Sequence, residues 1–575
     1  MNFKQVFYLI KFTSSAFPVL ICLPTITFAQ PAPPERQLPA NIPDAIERTI
    51  PQPNQLPPTP SIPPSPNPPI LLTPETPSVK TPDLPGDRFL IKKIEVRGNT
   101  VLKNEIDRLV RALKNQEKTF EDLIELRSQI TQLYINNGYI NSGAFLPNNQ
   151  NISRGIIQIQ VVEGELERIE LSGLSRLSQN YVRSRLKLAT APPLNQQRLE
   201  RALQLLQLDP LISQVNAELT AGSTPGRNVL QVILKEAPGF TAGFATQNNQ
   251  SPNIGSTQAS VFVAQNNLLG LGDRLSAEYG ISDGLDIYDL NYTIPVNARN
   301  GTVGIRYSNA DSRIIEDDFA DLDIESETRT LSFSVRQPLT STPNRELALG
   351  LGLDLRRSNT SLEDIPFSFS EGAEDGKSKV TAIRFYQDWV DRGARRVLAA
   401  RSQFSLGIDA FDATINDLGT DGRFFTWLGQ FQWVQQLSSR NVLITRLNTQ
   451  LTPDSLLSLE RFSIGGIDTV RGYPQNQLVA DNGIVGSVEL RIPLTADSNT
   501  LQLAPFFDIG TAWNSRTSDP TPQTLAGVGL GLRWLISRSL AFRLDYGVPL
   551  MEIENRGNSL QDNGIYFSLR YQPFF

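Results

Sequence analysis

The C-terminal part of the chain alternates between apolar and polar residues, and polar loops separate the alternating segments. The alternation begins near Gly239 and continues for roughly 340 residues. In residues 527–535, for example, Val528 and Leu530 alternate with glycines. Because successive side chains of a strand point to opposite faces, this pattern predicts strands with one apolar and one polar face. The alternation is clearest in residues 501–509, 527–535, 540–547 and 565–575.

Such strands could form either a soluble β-sandwich or a membrane barrel, and three features favour the barrel. The segments are about 9 to 11 residues long, which is the length that crosses a bilayer. Their polar face carries many charges, while their apolar face needs surroundings of low dielectric constant. The chain also ends on an aromatic residue, Phe575, which we interpret as a barrel-assembly signal. At about 20 residues for each strand and turn, residues 238–575 predict about sixteen strands.

Two smaller domains with the same order of elements precede the barrel region. Residues 89–164 begin with a strand, continue with two segments of helical periodicity, and end with predicted strands at 139–146 and 155–163. Residues 165–237 repeat this order. The sequence therefore predicts a mainly β fold, in which two tandem α+β domains of β-α-α-β-β order precede a transmembrane barrel.

Residues 1–29 have the features of a secretory signal peptide. Lys4 and Lys11 supply positive charge, an apolar stretch follows, and Ala29 provides a small residue before the predicted cleavage point. After this leader no stretch of about 20 apolar residues occurs, so strands would have to cross any membrane.

A proline-rich linker is predicted between the leader and the first small domain, at residues 30–88. Residues 31–88 contain 19 of the 40 prolines. Since proline lacks the backbone N–H, this stretch should be extended and semi-rigid. Within it, only residues 42–50 could form about two helical turns, with Pro43 near the start.

The composition excludes several classes of enzyme. The chain contains no histidine and a single cysteine, Cys22, which lies in the predicted leader. A Ser-His-Asp or Cys-His mechanism is therefore excluded, as is a zinc site of cysteine and histidine in the mature chain. The net charge of −6 argues against binding to nucleic acid. We expect no enzymatic activity, no cofactor and no metal site.

One segment among the predicted strands does not alternate. Residues 461–473 contain two adjacent glycines and an arginine, Arg471, which is flanked by Val470 and Gly472. This composition predicts a loop, which could fold outwards or back into the barrel lumen. In the lumen, Arg471 would need a carboxylate. Asp508 lies on the polar face of its predicted strand, so we expect a bidentate guanidinium–carboxylate pair between the two side chains.

In this order, the motifs resemble those of the two-partner secretion transporters, the haemolysin secretion/activation family of outer-membrane barrels with periplasmic POTRA domains. The resemblance covers essentially everything after residue 88. Its residues are Val470, Arg471, Gly472 and Tyr473, then Phe506, Phe507 and Asp508, and further residues 138–147, 159–164, 267–274 and 291–296. In such a protein, Val470 to Tyr473 form a lumen loop, and Phe506 and Asp508 belong to its strand partner. Members often begin with a helix that plugs the barrel, a place for which only residues 42–50 are available here.

The resemblance implies a transporter in the outer membrane, with its two small domains in the periplasm. It also implies a partner protein, a long secreted β-helical adhesin or haemolysin-like chain, that passes through the barrel. Further partners would be the outer-membrane lipid and the machinery that assembles barrels. An insertase of other barrels is the alternative function, although insertases usually carry more small domains. A passive porin would need no small domains.

Overall fold

A computed structural model describes residues 42–49, 71–72, 88–148, 150, 154–417, 419–553 and 557–573. The predicted signal peptide, most of the linker and Phe575 lie outside these residues. Ahead of the first small domain, the chain forms helix α1 (Ile42–Glu47) and the two-residue strand β1 (Leu71–Leu72). No helix in the described ranges is long enough and apolar enough to cross a membrane.

The first small domain packs two helices against a three-stranded sheet in the order β3-β6-β5. A separate two-stranded antiparallel sheet pairs β2 with β4. Thr119 and Asp122 form a capping box that starts the longer helix. Gly138, at a φ of +83°, ends it. The elements are β2 (Phe89–Ile91), β3 (Lys93–Arg97), α2 (Lys103–Arg111), β4 (Gln116–Lys118), α3 (Phe120–Asn136), β5 (Gly143–Phe145) and β6 (Ile156–Val162).

The second small domain has the same arrangement, and its sheet has the order β1-β8-β9-β7. The linker strand β1 pairs in parallel with β8, through Leu71 opposite Ala217. Leucines on the two helices, such as Leu186 and Leu203, are fully buried against the sheet. The elements are β7 (Glu165–Ser172), α4 (Gln179–Lys187), α5 (Gln196–Gln207), β8 (Ile212–Ala221) and β9 (Arg227–Glu236).

The remaining strands form a closed antiparallel barrel, which confirms the predicted fold class. In the described part of the chain, it has sixteen long strands and one two-residue strand, β17. The barrel strands are β10 (Phe240–Gln247), β11 (Gln258–Asn266), β12 (Arg274–Ile281), β13 (Leu285–Pro295), β14 (Thr302–Arg313), β15 (Ile324–Ser341), β16 (Arg345–Leu362), β17 (Ile365–Pro366), β18 (Lys377–Arg392), β19 (Arg396–Gly407), β21 (Phe425–Gln436), β22 (Val442–Leu451), β26 (Asn482–Pro493), β27 (Leu501–Trp513), β28 (Thr524–Ser537), β29 (Leu540–Pro549) and β30 (Ile565–Tyr571).

Four short strands lie in the loops of the barrel and pair only with each other. They are β20 (Thr420–Asp421), β23 (Ser455–Leu456), β24 (Phe462–Ile464) and β25 (Leu478–Ala480). The last three belong to the long connection between β22 and β26, which includes the segment predicted as a loop.

Alternation along the strands separates the two surfaces of the barrel. On β28, the side chains of Val528, Leu530 and Trp534 point outwards and are 42–48% exposed, as a bilayer-facing surface requires. The glycines that alternate with Val528 and Leu530, namely Gly527, Gly529 and Gly531, face the lumen. The barrel closes between β10 and β30 through four residue pairs, from Phe244–Tyr571 to Gln247–Ser568.

Several elements differ from the sequence predictions. The strand predicted at 139–146 is only Gly143–Phe145, because a turn follows Gly138 and Ser142 N–H donates to the Tyr139 carbonyl. Strand β4 was not predicted, since its exposed polar residues do not alternate. Strands β15 and β16 each have 18 residues, more than the predicted 9 to 11, because their pairing continues beyond the apolar band.

The second small domain contacts the turn between β11 and β12. The Ser178 N–H donates to the Gly270 carbonyl at 2.8 Å, and Arg176 Nη2 donates to the Asn267 carbonyl. This contact marks one end of the barrel. Because neighbouring strands are antiparallel, the connection from β22 to β26 starts at the opposite end.

Candidate functional site

The connection between β22 and β26, residues 452–481, folds back into the barrel, and we call it the lumen loop. Strands β24 and β25 pair as an antiparallel hairpin within it. Gly465 and Gly466 adopt φ values of +113° and +94°, which other residues rarely adopt. A Cβ at Gly465 would lie 2.3 Å from the Pro474 carbonyl oxygen. The two adjacent glycines therefore allow the tight turn that directs the loop tip to the barrel wall.

Arg471, at the tip of the lumen loop, is only 2% exposed and is bound by Asp508 of β27. Its Nε donates to Asp508 Oδ2 at 2.7 Å, and its Nη2 donates to Oδ1 at 3.0 Å. The backbone N–H of Arg471 also donates to Oδ2, at 3.2 Å. The guanidinium carbon lies 3.4 Å from the centre of the Phe506 ring, in a cation–π contact. The structure thus brings together three of the residues singled out in the sequence.

Two further carboxylates contact Arg471, and the sequence analysis missed both. Arg471 Nη1 donates to Glu489 of β26 at 2.9 Å and to Asp545 of β29 at 3.2 Å. Glu489 and Asp545 also accept hydrogen bonds from Arg533 of β28. The signal available in the sequence was that both residues lie on the polar, inward-facing side of an alternating strand. That position alone does not show which lumen carboxylate reaches the arginine, because the contact depends on how the strands are staggered around the barrel.

Glycines of the barrel wall make room for the backbone of the loop tip. A Cβ at Gly527 of β28 would lie 2.0 Å from the Arg471 carbonyl oxygen. A Cβ at Gly547 of β29 would lie 2.5 Å from the Gly472 nitrogen. Gly472 itself has a φ of +104°. The polar face of these strands therefore carries glycine where the loop tip packs against the wall.

The other residues of the motif fix the loop tip. Val470 and Tyr473 are fully buried. The Gly472 N–H donates to the Tyr566 hydroxyl at 2.9 Å, and that hydroxyl donates to the Tyr473 carbonyl at 2.7 Å. The Tyr473 hydroxyl lies 2.9 Å from the Ala526 carbonyl oxygen. Phe575, the predicted assembly signal, lies outside the described residues.

Helix α1 occupies the lumen at the end opposite the small domains. Ala45 and Ile46 are buried in a cluster with inward-facing residues of β13, β14 and β15. The Ser312 hydroxyl donates to the Ile46 carbonyl at 2.9 Å. Arg48, just after the helix, donates from Nη1 to the carbonyls of Ser458 and Arg461 in the lumen loop. The helical turns predicted within residues 42–50 thus form and pack against both the wall and the loop.

Each small domain has a carboxylate that organises the turn before its first helix. Glu163 accepts hydrogen bonds from the Thr100 hydroxyl, from the N–H groups of Thr100 and Val101, and from the Tyr134 hydroxyl. Burial alone would raise the pKa of Glu163, but these hydrogen bonds outweigh burial and hold that pKa below its ordinary value. Glu236 binds the turn at residues 175–177 in the same way. This shared feature supports a repeated design of the two domains.

Comparison with known protein families identifies the chain. Residues 226–534, more than half of the sequence, match the family of the haemolysin secretion/activation protein ShlB/FhaC/HecB. The chain belongs to this family. Residues 89–164 match the ShlB-type POTRA domain. The predicted family is therefore confirmed, and the chain is an outer-membrane transporter of two-partner secretion whose POTRA domains lie in the periplasm.

Individual relatives agree with the family assignment. The outer membrane transporter CdiB of Dickeya dadantii is 23% identical over 81% of this chain and 84% of its own length. The heme/hemopexin transporter protein HuxB of Haemophilus influenzae is 21% identical over 84% of this chain and 87% of its own length. The solved structure of CdiB from Escherichia coli has the same fold, with a TM-score of 0.66 at 24% identity, and covers 86% of this chain and 93% of CdiB.

Proposed function

We propose that this transporter moves one secreted partner polypeptide through its lumen while the Arg471–Asp508 pair keeps the tip of the lumen loop on the barrel wall. The observation that carries the proposal is the burial of this pair: Arg471 is 2% exposed and Asp508 is fully buried. A buried bidentate pair is a strong and directional anchor. Held in this way, the tip of the loop would keep its place while a chain moves past it.

The partner would first bind in the periplasm. We infer that residues 89–164 and 165–237 are the receiving domains, that residues 238–575 form the barrel, and that a signal peptide (1–29) and a linker (30–88) precede them. An extended segment could join a sheet edge of either small domain, because main-chain hydrogen bonds give affinity without a fixed sequence. It would then cross the lumen, where polar side chains replace water.

The remaining partners follow from the same proposal. The client would be a long β-helical adhesin or haemolysin-like protein, and its folding outside the cell would give transport its direction. The apolar outer surface would contact the lipid of the outer membrane. The barrel-assembly machinery would insert the barrel, with Phe575 as its signal. The chain would transport without catalysing a reaction or binding a cofactor.

A strain that lacks this chain tests the proposal. Its secreted proteins and, separately, its outer-membrane barrel proteins are compared with those of the parent. Loss of one or a few large secreted proteins, with other barrels unchanged, is the expected result, and it names the client. A general fall in barrel proteins would instead support an insertase.

The loop anchor is tested by complementing that strain with variants. Arg471→Ala and Asp508→Ala should reduce secretion while the barrel still folds, as judged by its heat-dependent mobility on gels. In the alternative interpretation the pair only braces the loop, and secretion would then remain normal in both variants.

A further inference from the structure

A second buried ion cluster binds the lumen loop at a different place. Glu460 ends the short 3-10 helix Ser458–Glu460 and is 3% exposed. Its carboxylate accepts hydrogen bonds from Arg384 Nη2 at 2.8 and 3.0 Å and from Arg356 Nη1 at 3.1 Å. Arg356 also donates to the Leu459 carbonyl. Two arginines of the barrel wall thus hold one carboxylate of the loop.

The two loop anchors lie on different parts of the barrel wall. Arg356 is on β16 and Arg384 is on the neighbouring strand β18, whereas Asp508 is on β27. Strands β19, β21, β22 and β26 lie between these two parts of the sheet. The loop therefore crosses the lumen. Its carboxylate, Glu460, binds one side of the barrel wall, and its cation, Arg471, binds the other side.

The two anchors differ in the number of ion pairs that must break. Release of Glu460 breaks two ion pairs and leaves Arg356 without a carboxylate, while Arg384 keeps a second carboxylate partner. Release of Arg471 breaks three ion pairs and leaves Asp508 without a cation. Each release leaves one buried charge unpaired among the ion pairs of the described residues, so the anchor with fewer ion pairs, Glu460, is the easier one to open.

We propose that Glu460 is the releasable anchor of the lumen loop: its separation from Arg356 and Arg384 opens the pore, while Arg471 stays bound to Asp508. Glu460 is thus a positioning residue for transport. This inference rests on the proposed passage of a polypeptide through the lumen, which needs part of the loop to move aside.

Helix α1 secures the releasable end of the loop. Arg48 donates to the carbonyl oxygens of Ser458 and Arg461, which flank Glu460 on both sides. Departure of α1 from the lumen would therefore weaken the Glu460 anchor.

Conductance of the purified full-length protein in planar lipid bilayers tests this proposal without any client. Glu460→Gln should raise the open probability about tenfold or more, because hydrogen bonds between charged groups are lost. Glu371→Gln is the matched control, since the Glu371 carboxylate faces the same arm of the loop but is 47% exposed and lies 3.9 Å from Arg461. This control should conduct like the parent.

A double variant distinguishes the effect of losing the anchor from the effect of leaving a buried arginine without its carboxylate. Arg356→Gln with Glu460→Gln removes one charge of each sign, and Arg384 remains paired with Asp354. We expect the double variant to be as open as Glu460→Gln, and trypsin to cleave after Arg461 in both. Parent-like conductance of Glu460→Gln, or its restoration in the double variant, would overturn the proposal. No client is present in the bilayer. A failure of this proposal can therefore be distinguished from a failure of the proposed transport function.

Discussion

Replacing Asp508 by asparagine should release the tip of the lumen loop. Asp508 accepts three hydrogen bonds from Arg471, at 2.7, 3.0 and 3.2 Å, and both side chains are buried. Breaking a buried ion pair costs about 3–5 kcal/mol. Because asparagine keeps one acceptor oxygen, and Glu489 and Asp545 still face the guanidinium, we expect the lower end of this range. A loss of ~3 kcal/mol raises the released population about a hundredfold.

Labelling of a buried cysteine measures that population. Val470 is fully buried beside Arg471, so a maleimide reaches Val470→Cys only when the tip is released. The only native cysteine, Cys22, lies in the predicted leader. We expect the Val470→Cys protein to be labelled about a hundredfold faster when it also carries Asp508→Asn, in keeping with the ~3 kcal/mol loss.

Glu327→Gln is the matched control for this experiment. Glu327 pairs with Arg329, whose side chain is 54% exposed, and exposed pairs contribute only about 0–1 kcal/mol. Labelling should therefore change by less than about fivefold. The reasoning would be refuted if Asp508→Asn left the rate within the range of this control.

Two further predictions concern the first small domain and the closure of the barrel. The folded-state pKa of Glu163 is lowered, so its contribution is complete above the pKa of the unfolded chain and is lost as the pH falls through the folded value. The hydrogen-exchange protection factors of residues 89–164 in the full-length protein, which correct for the intrinsic pH dependence of exchange, should therefore fall in acid, and Glu163→Gln should flatten this dependence; a flat parent profile would contradict it. Asn248→Ala removes the side-chain bonds to the Ile565 carbonyl (2.8 Å) and from the Phe567 N–H (2.6 Å) at the seam. It should cost about 1–3 kcal/mol and lower the temperature at which the barrel unfolds on gels, whereas an equal effect of Asn249→Ala would argue against the seam.

Alternation carried most of the information about the barrel. The outward Val528 and Leu530 of β28 follow the two-residue period that identified this strand in the sequence. The full length of β15 was not predictable in this way. Beyond the apolar band, polar residues such as Glu327 point outwards, opposite Asp311, so the contrast between the two faces disappears while the backbone pairing continues.

The candidate site was only partly accessible from the sequence. Arg471 was identified as an arginine in a glycine-rich loop, and Asp508 was identified because it lies on the polar face of its predicted strand. Glu489, Asp545 and Glu460 could not be assigned, because their contacts join strands and loop segments far apart in the chain. Such contacts depend on the stagger of the strands and on the path of the loop across the lumen.

Cross-linking of the client during transport tests the central claim most directly. Ser332 of β15 faces the lumen and is 7% exposed, whereas the next residue, Phe333, faces outwards and is 43% exposed. A cross-linker attached to Ser332→Cys or Phe333→Cys is activated in cells that are secreting the partner protein. Transport through the lumen predicts that the partner is captured from position 332 and not from position 333. Continued secretion without capture at 332, or equal capture at both positions, would contradict passage through the barrel.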